Sequence, residues 1–218
     1  MTVTRGLLIA VEGLDRAGKT TQCQRLCDHF NKTGNARIQK MPDRTTQIGQ
    51  AINGYLTSST QLPDQTIHLL FSSNRWELAE SILASLNAGQ TVILDRYVPS
   101  GVAYSLAKEV PGMNLEWCLA PEIGLPCPDI TLFLDIDPNK ADLQTSRADF
   151  GNERYEVSEF QAKVRNCFKI VLGDNKTGGQ AKLGPVVVID AAQSLDGVTA
   201  DIQSAIGKVK VTNEIGVI

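Results

Sequence analysis

Gly13-Leu14-Asp15-Arg16-Ala17-Gly18-Lys19-Thr20 decides the fold. The stretch fits G-x-x-x-x-G-K-[ST], the pattern of a loop that cradles phosphates, and its flanks fit as well. Leu7–Val11 reads as a buried strand, and Thr20–Lys32 reads as a helix. A glycine-rich turn between strand and helix presents several backbone N–H groups and the positive end of the helix dipole. Lys19 is then placed to reach the outer phosphates, and the Thr20 hydroxyl to hold a divalent cation. Arg16 adds a second cation inside the loop, where charge builds up during phosphoryl transfer.

Outward from the loop, strand-like and helix-like segments alternate. The expected strands are Leu7–Val11, Ala36–Met41, Thr91–Asp95, Ile130–Ile136 and Pro185–Asp190. Several are apolar on both faces, as parallel strands covered by helices must be. The amphipathic segments are Thr20–Lys32, Thr46–Leu56, Asp64–Asn87, Val157–Leu172 and Ser194–Val209. This rhythm predicts an α/β fold of P-loop NTPase type, with a doubly wound, five-stranded parallel sheet flanked by helices. No repeat or linker divides residues 1–218, so one domain is expected. Arg147–Glu156 is charged, contains Gly151, and reads as a lid loop able to close over a ligand. No reading attaches to Val209–Ile218.

Composition narrows the function classes. With 42% hydrophobic residues, a packed core is expected rather than disorder. The formal net charge of -3 argues against a domain built on nucleic-acid affinity. No signal-peptide core and no run of the ~20 apolar residues needed to cross a bilayer appear. A cytoplasmic protein is expected, with the nucleus as a second compartment. Cys23, Cys27, Cys118, Cys127 and Cys167 are scattered, and no second Cys/His pair completes a zinc site around the first two.

Ligands of open α/β sheets bind beyond the carboxyl ends of the strands. Two further motifs fall there. Asp95-Arg96-Tyr97 supplies a carboxylate for a metal or its water shell and an arginine for an anion. Pro42-Asp43-Arg44 offers another arginine to the same crevice. Phe71 and Arg75 share a helix face at i, i+4; on spacing alone they read as a core phenylalanine and a surface arginine. Asn139-Lys140-Ala141-Asp142 fits N-K-x-D, the guanine-reading box of small GTPases. A helix start at Asp137-Pro138 and the lack of a D-x-x-G switch after the third strand speak against that reading.

These residues resemble a known family. Glu12–Gln22, Pro42–Gly49, His68–Glu77, Asp95–Tyr104 and Phe150–Glu156 are similar, in order, to the motifs of eukaryotic-type thymidylate kinases. The resemblance implies transfer of the ATP γ-phosphoryl group to dTMP, with Mg²⁺ as cofactor and a homodimeric assembly. It implies that Gly13, Arg16, Ala17, Gly18, Lys19, Thr20, Thr21 and the lid residue Arg147 bind ATP, and that Thr20 and Asp95 hold the metal. Arg16, Lys19, Asp95 and Arg96 would be catalytic. For dTMP, Phe71 would stack on thymine and Arg75 bond its O4 edge, reversing the surface reading of that arginine. Ser100 and Ser105 would lie near the base, and Tyr104 under the deoxyribose. Asp15 would touch the 3′-hydroxyl, and Arg44 and Arg96 would clamp the phosphate. Gly101 and Tyr155 belong to the same site. Other readings of the residues are a different deoxynucleotide or deoxynucleoside kinase, and a non-catalytic P-loop regulator.

Overall fold

Every strand expected from the sequence forms, and all five run parallel. The computed structural model describes residues 5–137, 153–173 and 183–218. β1 (Leu8–Gly13), β2 (Ala36–Lys40), β3 (Thr91–Asp95), β4 (Ile130–Asp135) and β5 (Val186–Asp190) make one sheet in the order β2-β3-β1-β4-β5. The central strand runs past Val11, where its apolar run ends, through Glu12 and Gly13. The chain runs from β1 to β2 on one side, and from β3 it crosses to β4 on the other side of β1; that reversal opens the crevice in which such sheets bind ligands. The register Val11↔Asp95 sets the ends of β1 and β3 side by side.

Helices cover both faces: α1 (Lys19–Asn31), α2 (Gln47–Leu56), α3 (Asp64–Asn87), α4 (Val98–Leu106), α5 (Leu115–Leu119), α6 (Ser158–Leu172) and α7 (Leu195–Ile206). α1 buries Lys19, Gln22, Cys23, Leu26 and Cys27, the i, i+3, i+4, i+7, i+8 stripe of a helix lying on a core. α2 starts one residue later than expected because the Thr46 hydroxyl accepts from the Gly49 N–H at 2.9 Å and caps it. α4, α5 and the 3₁₀ turn Ala120–Glu122 lie outside the five amphipathic segments read from the sequence.

Strand alternation divides the core in two. Ile9, Val11, Ile93, Leu132 and Leu134 point to α1 and α7, packing on Leu26, Val198 and Ile202. Leu8, Ala10, Val92, Leu94 and Phe133 point the other way, towards Ile82 and Leu86 of α3, Val102 of α4 and Phe168 of α6. All five cysteines are free thiols, and no group of metal-ligating side chains occurs among the described residues. No described helix is long and apolar enough to cross a membrane. Arg147, most of the lid and Asn139–Asp142 lie outside the described residues.

Candidate active site

The carboxyl ends of β1, β2 and β3 open into a cavity of about 550 Å³. On one side stands the loop from Asp15 to Thr20, with Thr21; on the other stand Phe71, Arg75, Ser100, Gly101, Tyr104, Ser105 and Tyr155. Lys19, Arg44, Asp95 and Arg96 line the space between them. Gly13 joins through its backbone, its carbonyl accepting from Arg96 at 3.1 Å.

The loop takes its shape from left-handed backbone at Arg16 (φ 67°) and Gly18 (φ 84°). Glycine adopts this freely; arginine does so at a cost of order 1 kcal/mol or more. Arg96 is left-handed as well, at φ 71°. Two arginines strained at one cavity mark a site whose surroundings fix their direction.

Arg96 is the hub. It donates to the Asp15 carboxylate, to Ser100 Oγ at 3.1 Å and to the Gly13 carbonyl. Asp15 also accepts from Tyr104 Oη at 3.0 Å and from Gln161 Nε2 at 2.8 Å. Burial pushes the Asp15 carboxyl up, but Arg96 and Lys19 outweigh it and hold the group below its ordinary value. The Thr20 hydroxyl lies 2.8 Å from Asp95 Oδ2 at the end of β3. This pair of oxygens fits a divalent cation held mainly by phosphates, which needs only one or two ligands from the protein.

Lys19 is 6% exposed and its Nζ donates to the Leu14 carbonyl. Burial, reinforced by Arg96 and opposed by Asp15, Asp95 and Glu12, lowers its pKa to about 8. Phosphate oxygens placed beside it restore the proton. Nucleotide binding at pH 8.5 is therefore expected to take up a proton that binding at pH 6.5 does not, and affinity falls as pH rises through 8. Calorimetry in two buffers of unequal ionisation heat reads that uptake. Equal heats at pH 8.5, or the same uptake in Lys19→Met, would remove Lys19 as its source.

Arg44 donates to Glu153 at 2.8 and 3.1 Å and to Asn53 Oδ1 at 2.9 Å. Its loop is pinned by Asn74, fully buried on α3, which accepts from the Asp43 N–H at 2.8 Å and donates to Thr46 Oγ1 at 3.0 Å. Arg75 is 3% exposed, so the surface reading from its spacing is overturned. Glu122, fully buried, pays for the desolvation of that charge with two acceptor oxygens, one 2.8 Å from Arg75 Nε. A Cβ on Gly101 would come 2.7 Å from the Arg75 guanidinium, so a larger residue there would displace that guanidinium.

His68 burial, with Arg75 nearby, lowers the imidazole pKa. The neutral ring donates from Nε2 to the Cys118 carbonyl at 3.0 Å, so Nδ1 accepts from Ser105 Oγ at 2.7 Å. Ser105 thus lines the cavity with its hydroxyl proton already committed to His68.

Glu12, Asn74, Glu122, Glu153 and Gln161 carry parts of this arrangement that the sequence reading left unassigned. Glu12 is the clearest. Its carboxylate, from β1, accepts from the Tyr97 N–H at 2.8 Å and the Ser100 N–H at 3.3 Å, capping α4 across the sheet. Burial pushes its pKa up, against hydrogen bonding from Ser100 and the charge of Arg96.

A phosphate loop joined by arginines to a second, partly apolar compartment defines a nucleotide-binding phosphotransferase with two substrate sites. The sequence profile described as thymidylate kinase matches residues 11–202. The thymidylate kinase of Danio rerio is 46% identical over 93% of this chain and 91% of its own length. That of Schizosaccharomyces pombe is 44% identical over 98% of both, and that of Homo sapiens 39% over 93% and 91%. A solved thymidylate kinase from Candida albicans superposes with a TM-score of 0.86 at 41% identity, over the full length of both chains. The chain belongs to the thymidylate kinase family, the ATP-dependent phosphotransferases of thymidine nucleotide biosynthesis.

Proposed function

We propose that one domain spanning residues 1–218 transfers the γ-phosphoryl group of ATP to dTMP along the line from Lys19 to Arg96. The observation that carries this reading is Arg96 itself, bonded at once to the loop carbonyl of Gly13, to Asp15 and to Ser100. An acceptor phosphate on Arg96 and Arg44 would lie directly beside the donor loop. That phosphate is largely ionised near neutral pH, so no strong base is needed. The obstacle is repulsion between two anions, and alignment with charge neutralisation removes it.

In this assignment Gly13 to Thr21 carry the donor phosphates through backbone N–H groups and Lys19. Arg16 reaches the γ-phosphate as a finger supplied in cis. Thr20 and Asp95, 2.8 Å apart, would hold Mg²⁺, which would supply positive charge beside the donor phosphates. Phe71 and Arg75 hold thymine, Ser100, Gly101 and Ser105 shape the base pocket, and Asp15 binds the 3′-hydroxyl. Tyr155, its ring 5.5 Å from that of Tyr104, closes the pocket. Arg147, outside the described residues, is assigned to ATP on the resemblance alone. Leu69, Trp76 and Ile123 leave an exposed apolar face beside α3, consistent with a homodimer. Placement in the cytoplasm, with the nucleus as a second compartment, and independence from nucleic acid and membrane complete the reading.

The test is ADP release from ATP with dTMP, dUMP, dGMP, AMP or thymidine as acceptor. Turnover highest with dTMP is expected; turnover highest with thymidine would make it a nucleoside kinase, and none with any acceptor a P-loop regulator. With UMP added to the panel, Tyr104→Ala, which removes the ring proposed to crowd out a 2′-hydroxyl, is expected to relax discrimination against UMP more than it weakens dTMP binding. Equal losses for the two nucleotides would sink the steric role of the ring.

A further inference from the structure

Val209–Ile218 has no role in the reading above, yet part of it is fixed in place. Residues 216–218 run antiparallel to 124–127. The Gly124 N–H donates to the Ile218 carbonyl at 3.0 Å, the Ile218 N–H to the Leu125 carbonyl at 2.9 Å, and the Cys127 N–H to the Gly216 carbonyl at 2.8 Å. Val217 pairs with Pro126 as a bridge. Ile215 and Ile218 turn inward onto the core beneath α3 and α4. Arg5, itself buried and paired with Asp129, donates to the Glu214 carbonyl at 3.1 Å.

Every one of the three cross-strand bonds falls on one segment, 124–127, which begins two residues after Glu122. The other side of that loop is held by α3: Ser72 Oγ and Trp76 Nε1 donate to the Pro121 carbonyl at 3.1 and 2.8 Å. Tyr97 Oη donates to the Pro126 carbonyl at 3.0 Å from beneath. Glu122 sits between these clamps and is the ion-pair partner of Arg75. A guanidinium fixed on both oxygens of a fixed carboxylate keeps one orientation.

We infer that segment 214–218 is a strap that positions Arg75 through Glu122, and so sets discrimination between a pyrimidine with an acceptor at C4 and one with an amino donor there. The inference rests on the proposed base-reading role of Arg75. A locked donor bonds the O4 of thymine and repels the N4 amino group of cytosine; a loosened one does both less well. Glu122 and the strap are positioning elements and touch no substrate.

The experiment measures kcat and KM for dTMP and dCMP, and KM for ATP, in four variants of the full chain. These are Arg75→Ala, Glu122→Gln, Ile218→Pro and a chain lacking residues 214–218. Thermal melting reports folding, and Ile218→Pro, which removes one N–H donor, carries the test if the shortened chain does not fold. The expected result is a rise of about fivefold or more in KM for dTMP, with kcat and KM for ATP within about twofold. The preference for dTMP over dCMP should fall about fivefold or more in both strap variants and in Glu122→Gln. Parallel losses on the two nucleotides, or no change, would overturn the strap's role. If Arg75→Ala collapses the preference and the strap variants do not, the inference fails while the base site stands. If Arg75→Ala leaves the preference intact, the base-reading itself fails and the inference with it.

Discussion

Arg16→Ala is expected to lower kcat by about 10²–10⁴ while KM for dTMP stays within about threefold. Fingers that meet charge arising only in the transition state are worth roughly 10³–10⁵ in rate. The lower range applies here because Lys19 shares the same phosphates. The left-handed backbone at φ 67° supports the role, since the fold maintains a strained arginine where glycine would rest easily. Steady-state kinetics decide it. A kcat within threefold of the unsubstituted protein would remove the finger, and a matching rise in KM for ATP alone would make Arg16 a ground-state contact.

Arg96→Ala is expected to cost about 10²–10⁴ in kcat/KM for dTMP. The change removes the phosphate clamp and also leaves Asp15 without its cation. The pair is part-buried; hydrogen bonds to charged groups are worth about 1.5–3 kcal/mol each, and each 1.4 kcal/mol is tenfold. Arg96→Lys should restore little. Separate guanidinium nitrogens serve Asp15 on one side and Gly13 and Ser100 on the other, and one ammonium does not span that fork. The pH profile supplies a second readout. Arg96 helps hold the Asp15 carboxyl below its ordinary value, so without it the acid limb governed by Asp15 moves to higher pH. A loss below tenfold with an unmoved acid limb would contradict both roles.

What the sequence made legible was local. The phosphate loop, its strand and its helix lie within about thirty consecutive positions, and strand alternation is a property of neighbours. The contacts that shape the site are not local. Arg75 meets Glu122 from 47 positions away, Arg44 meets Glu153 from 109, and Asp15 meets Gln161 from 146. A charged residue at helical spacing reads as solvated unless its partner is known, so spacing alone hides the burial of Arg75, and only the family resemblance moves it into the site. Helix α5 has five residues, too few for a period to declare itself. Glu12 was passed over because a carboxylate ends an apolar run in any hydropathy reading; its task, capping α4, becomes visible only once β1 and β3 are paired.

Asp15 and Arg16 are consecutive, and in the proposed assignment one touches the acceptor sugar and the other the donor phosphate. Successive Cα atoms across a trans peptide are about 3.8 Å apart whatever the rest of the chain does. The two substrates are therefore gauged against each other by a covalent length, not by the packing of two lobes. Breathing of the sheet or of α3 shifts both reference points together. Exchange of this loop for a phosphate loop of another lineage would keep a nucleotide bound and still discard the ruler.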